Sequence, residues 1–78
     1  MTEAPTSVDI IETCVIGTAT FALTLQHWGV ARDIYEVAVA DRRPGERHRF
    51  TVIGTYRGLH QARDVFERWI QIEHERFA

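Results

Sequence analysis

Lysine and asparagine are absent from this chain of 78 residues, and cysteine and methionine occur once each. A single cysteine, Cys14, cannot form an internal disulfide, so a secreted disulfide scaffold is excluded and a reducing compartment is the default. No uninterrupted apolar run approaches the roughly 18 residues that a membrane-spanning helix requires. The stretch from Met1 to Asp9 has no basic region leading into an apolar one, so the chain reads as neither membrane-inserted nor exported, which is to say cytoplasmic. Its length also excludes a two-domain enzyme and a doubly wound nucleotide fold. Without lysine, arginine is the only strong base, and its use is no sign in itself of guanidinium chemistry.

What is there fits one small domain: 45% hydrophobic, 26% charged and 10% aromatic side chains with a formal net charge of −2. A chain of this size buries only about 60–65% of the surface that its unfolded form exposes, so the core is thin and a partner adds stability readily.

Met1 to Ser7, with Pro5 and no apolar periodicity, reads as a disordered tail, and a single domain is expected over 8–78. From Thr18 to Gln26 apolar and polar residues alternate with the period of two that marks a half-buried strand. The β-branched run Ile10 to Ile16 either extends that strand through a bulge at Gly17 or forms a short strand of its own. Ile34 to Asp41 reads as the next strand and Arg47 to Tyr56 as another, joined by a turn around Pro44-Gly45. After Gly58 the period changes to about 3.6, predicting a helix from about Leu59 to Phe77 with Ala62, Val65, Phe66, Trp69, Ile70 and Ile72 as its apolar stripe. Arg63 with Glu67 and Asp64 with Arg68 are spaced as i,i+4 pairs along it. The fold class expected is α+β: a three-stranded antiparallel meander packed on one C-terminal helix, in the order βββα.

The alternation assigns faces as well. Phe21, Leu23, Leu25, Tyr35, Val37, Val39, Phe50, Val52 and Tyr56 are expected beneath the helix. The opposite face is expected to carry Thr18, Thr20, Ala22, Thr24, Glu36, Ala38, Ala40, Arg49, Thr51, Ile53 and Thr55. Such a face is small and sparsely charged where a solvent-only sheet face normally carries many charges, so it invites a second protein.

Catalytic constellations do not emerge. Four histidines, His27, His48, His60 and His74, match no zinc spacing, and only His60 with Asp64 has a ligand-like helical separation. Cys14 sits in a β-branched run where a small hydrophobe is the usual role. Glu67, Glu73 and Glu75 lie among arginines in the manner of a solvated helix face. The glycines do not form a phosphate-binding loop. No catalytic residue, cofactor or metal is therefore assigned, and the protein is expected not to be an enzyme.

Charge is unevenly spread. Between Arg32 and Arg57 six arginines face four acids, giving +2, while the N-terminal segment carries −3 and the segment from Gly58 onward −1. The hairpin arginines Arg42, Arg43, Arg47 and Arg49 are the candidates for phosphate contacts, although a nucleic-acid domain is normally basic overall and this chain has a pI near 6.0.

The run Tyr35-Glu-Val-Ala-Val-Ala-Asp41, followed by a turn and by Gly54-Thr-Tyr-Arg-Gly-Leu-His-Gln-Ala62 leading into an aromatic-bearing helix, resembles the layout of AP2-type DNA-binding domains over about Gly29 to Ile70. That resemblance implies a sheet reading the DNA major groove, with Arg47 and Arg49 as the contacts on the helix-distal face. In size and style the chain is also similar to small phage-encoded inhibitors such as anti-CRISPR proteins, which implies a compact, non-catalytic binder of a basic, nucleic-acid-handling target.

The preferred expectation is a non-enzymatic binding module, an inhibitor or regulator, acting through Thr20, Ala22, Thr24, Ala38, Ala40, Thr51 and Ile53 on a protein partner or on a second copy as a homodimer. The alternative is nucleic-acid binding through the arginine-bearing hairpin.

Overall fold

A computed structural model of the chain describes residues 5–30, 32–41 and 50–77. Four strands precede one helix: β1 Ser7–Ile16, β2 Ala19–His27, β3 Asp33–Asp41, β4 Phe50–Tyr56 and α1 Leu59–Phe77. The strands form one antiparallel sheet in chain order, β1-β2-β3-β4, with the helix across one face. The class is α+β as expected, but the sheet has four strands and the order is ββββα.

The additional strand follows from Gly17. Ile16 pairs with Ala19, leaving Gly17-Thr18 as a two-residue hairpin loop, and Gly17 adopts φ 59°. A glycine at the first position of such a loop lets the chain reverse with the right-handed strand twist, so the run Ile10 to Ile16 turns back beside β2 instead of prolonging it. At the other end Ser7 pairs with His27, and Thr6 donates to the His27 carbonyl from its amide (2.6 Å) and its hydroxyl (2.8 Å). Ordered pairing thus reaches slightly beyond Val8, where the sequence alone had placed its start.

Two bulges set which side chains meet the helix. In β1 the register shifts between Ile10 and Glu12, and the extra residue, Ile11, packs against the core. In β4 the register shifts opposite Val37 and Ala38: Gly54 pairs with Val37, Val52 with Ala38, and Ile53 is the extra residue. Ile53 packs against the core cluster. The parity of β4 is thereby reset. Val52 and Phe50 lie opposite Ala38 and Ala40 and therefore face away from the helix, whereas Thr51, opposite Val39, is on the helix side. The period-two expectation, which put Phe50 and Val52 beneath the helix and Thr51 and Ile53 on the open face, is corrected at all four positions.

The core joins Phe21, Leu23 and Val37 of the sheet to Ala62 and Phe66 of α1, flanked by Ile16 and Ala19. Ala62 and Phe66 are one helical turn apart, and the small Ala62 allows close approach of rod to sheet. Tyr35, Val39, Tyr56 and Ile70 border this cluster, as their alternation and helical phase predicted. Trp69 borders a cleft with Phe21 and Val39 while remaining 40% exposed, and Ile72, 44% exposed, is a correction, because the apolar stripe is wider than the strip of helix that the sheet can touch. The ion pairs differ as well: Arg63 reaches across to Glu12 of β1 (Nη1 to Oε1, 3.5 Å), which ties the helix to the edge strand.

Candidate partner-binding face

On the helix-distal face the pairing registers align side chains in rows across the four strands: Val15–Thr20–Ala40–Phe50, Thr13–Ala22–Ala38–Val52, Ile10–Thr24–Glu36–Thr55, and Val8–Gln26–Ile34. Size varies along the rows nearest the hairpin ends of β2 and β3, whereas Gln26, Ile34 and Glu36 are large residues on the central strands toward the other end. The two central strands present alanine and threonine over most of their length, while the edge strands present Val8, Ile10, Val15, Phe50 and Val52. The result is a shallow trough of about 290 Å³ whose floor includes Ala22, Ala38 and Thr24 and whose sides include Val8, Ile10 and Phe50.

Exposure separates floor from walls. Ala22, Ala38 and Ala40 are buried among their taller neighbours, whereas Ile10 is 71% exposed, Val15 63%, Phe50 56% and Val52 51%. Scattered exposed hydrophobes are ordinary on soluble proteins, but contiguous apolar patches of several hundred Å² mark interaction sites. Among the described residues of this face Glu36 is the only charged one, and it is half-buried. It pairs with Thr24 and lines the trough beside Ala22 and Ala38.

The polar groups at the two ends of the trough differ in their satisfaction. Trp28, just beyond β2, donates from Nε1 to the Gln26 side-chain oxygen at 3.1 Å and fixes that amide. At the other end Thr20 Oγ1 is buried with no hydrogen-bond partner, a cost of about 1–3 kcal/mol left inside the face.

Of the residues assigned from sequence, Thr20, Ala22, Thr24, Ala38 and Ala40 are together on this face, and Thr51 and Ile53 are not. Arg42, Arg43, Arg47 and Arg49 lie outside the described residues. Missed were the walls: Val8, Ile10 and Val15, because the run Ile10 to Ile16 reads equally as an extension of β2 or as a strand of its own, and Phe50 and Val52, because of the bulge. Each omission had a local signal, namely Gly17 between two β-rich runs and Gly54 within a strand, where glycine often marks a bulge.

A cluster of different character occupies the helix side at one end of the sheet. His27 of β2 lies between Asp9 of β1 and Asp33 of β3, its Nδ1 2.7 Å from Asp33 Oδ1 and its Nε2 3.1 Å from Asp9 Oδ2. The two carboxylates hold the imidazole above its ordinary pKa, the hydrogen bond to Asp33 contributing most and that to Asp9 next. Charged, the ring can donate to both neighbours at once and bridge three strands. The helical pair His60 and Asp64 is a surface contact, Nε2 to Oδ2 3.6 Å. Cys14 is half-buried against the core.

Compared with known protein families, with curated proteins and with solved structures, the chain matches none. Within the described residues no helix is long and apolar enough to cross a membrane.

Proposed function

We propose that this protein is a non-enzymatic protein-binding module, a small inhibitor or regulator, that acts through the helix-distal face of its sheet. The observation that carries this reading is the line of exposed Ile10, Val15, Phe50 and Val52 around a floor of small residues on a nearly uncharged face. A face of that composition loses water favourably over a broad area and imposes little desolvation of charge, which suits the apolar centre of an interface.

The binding residues are accordingly Thr20, Ala22, Thr24, Ala38 and Ala40 as the floor, with Ile10, Val15, Phe50 and Val52 as the contacts that gain most on burial. Each of those walls is already half-solvated, so replacing one leaves the helix-side core intact.

The test compares proteins co-purified from the native host by the immobilised wild-type chain and by Ile10→Arg and Val52→Arg variants with unchanged circular dichroism. Species held by the wild type, a second copy included, are expected to be lost from the variants, and identical retention would refute the reading. A gel-shift titration at low salt separates it from nucleic-acid binding through Arg42, Arg43, Arg47 and Arg49, for which affinity must fall steeply as salt rises.

A further inference from the structure

We infer that the occupant of the open face is a second copy of this chain, related to the first by a two-fold axis; the inference rests on the reading of that face as an association surface.

Self-complementarity is the first argument. A two-fold dimer must pair a surface with itself, so the surface has to contain both a protrusion and the hollow that receives it. This face has them side by side: Phe50 and Val52 stand along β4, and the Ala22–Ala38 floor lies one to two strands away. An in-plane axis between the two exchanges them, and each copy sets its Phe50 and Val52 over the other's alanines. Large-against-small contact of this sort is how facing layers interdigitate.

Charge supports the same pairing. Within its strands the face carries, among its described residues, only Glu36 as a charge, with Arg32 and Arg57 beside Ile34 at the rim. It is therefore best matched by a surface as neutral as itself. The two-fold axis runs parallel to the strands and passes close to β3, so the two Glu36 residues lie near each other across it, a like-charge cost that keeps the association weak.

Area supports it too. Four strands about 4.8 Å apart and about nine residues long at roughly 3.3 Å each give a face of about 570 Å². Two such faces come to about 1,100 Å², just above the roughly 1,000 Å² that a specific interface must clear and below the standard-size range, which favours a weak, concentration-dependent dimer.

Sedimentation equilibrium of the full chain from about 1 µM to about 500 µM spans the affinities that such an interface allows. The wild-type mass is expected to double from 9.0 kDa across that range. Phe50→Arg and Val52→Arg should weaken the association at least about tenfold, as an unpaired charge in an apolar interface does. Val52→Leu should retain it, and Ile72→Arg on the exposed side of α1 should leave it unchanged. Should Val52→Arg lose its circular dichroism signature, Phe50→Ser supplies the same measurement without a charge. A wild type that stays monomeric throughout overturns the second copy as occupant. The parent reading then still stands if the wild type, but not Val52→Arg, retains a different protein. A dimer that survives both arginine variants places the contact elsewhere and overturns the inference, and unchanged retention by those variants overturns the parent reading as well.

Discussion

The two faces of the sheet are both apolar, but they have opposite size profiles. Beneath the helix the central strands carry the bulk, Phe21 and Leu23 on β2 and Val37 and Val39 on β3, while on the open face those same strands carry Thr20, Ala22, Thr24, Ala38 and Ala40. There the bulk has moved to the edges, to Ile10 and Val15 on one side and Phe50 and Val52 on the other. A face that is high in the middle meets a rod at its small residue, Ala62; a face that is low in the middle leaves a trough. Apolarity alone therefore does not distinguish the two faces, whereas the distribution of volume across the strands does.

The most severe way to challenge that contrast is to truncate one phenylalanine on each face. Phe66→Ala removes a fully buried ring and should cost about 3–5 kcal/mol, a large part of the stability expected for a domain of this size. Phe50→Ala removes a half-exposed ring and should cost under about 1 kcal/mol in the monomer. Urea denaturation of both variants at low protein concentration measures the difference, and equal costs would mean that the open face is part of the core after all.

A smaller effect sharpens the account of β4. Gly54 stands opposite Val37 on the helix side, and a Cβ there would approach the Tyr56 ring to 2.9 Å from Cζ. Gly54→Ala should destabilise the fold by about 1–3 kcal/mol through displacement of that ring. The double variant with Tyr56→Ala should show less than the sum of the two single losses. Strict additivity would show that the glycine is there for another reason.

The smallest expected effect comes from the polar end of the helix side. His27 has its folded-state pKa raised by Asp33 and Asp9, so the stability that it contributes is fully present below its unfolded value near 6.5 and is lost as pH rises through the folded value. The urea midpoint of the wild type should fall as pH rises above about 6.5, relative to that of His27→Gln, whose profile lacks this step. Parallel profiles would remove the bridge from the account.

Much of the fold was legible. The change of period at Gly58 located α1, and the alternation of β2 and β3 assigned Phe21, Leu23, Tyr35, Val37 and Val39 to the helix side, because strands without bulges preserve parity from end to end. Of the candidate site, the five floor residues on those two strands were readable for the same reason. The walls were not. Whether Gly17 continues or reverses a strand depends on what it pairs with, and a bulge at Ile53 inverts every assignment before it in β4 without altering the local pattern. The bridge around His27 was equally hidden, since Asp9 and Asp33 lie 18 and 6 residues away in the chain.

The sequence by itself determined where most regular structure lies and which period each segment follows, because these depend on neighbours a few residues apart. Only the tertiary structure decided that the sheet has four strands, that Phe50 and Val52 face outward, and that three separate strands meet at His27. Those outcomes depend on hydrogen-bond register between distant segments, and a one-residue shift in register exchanges inside for outside.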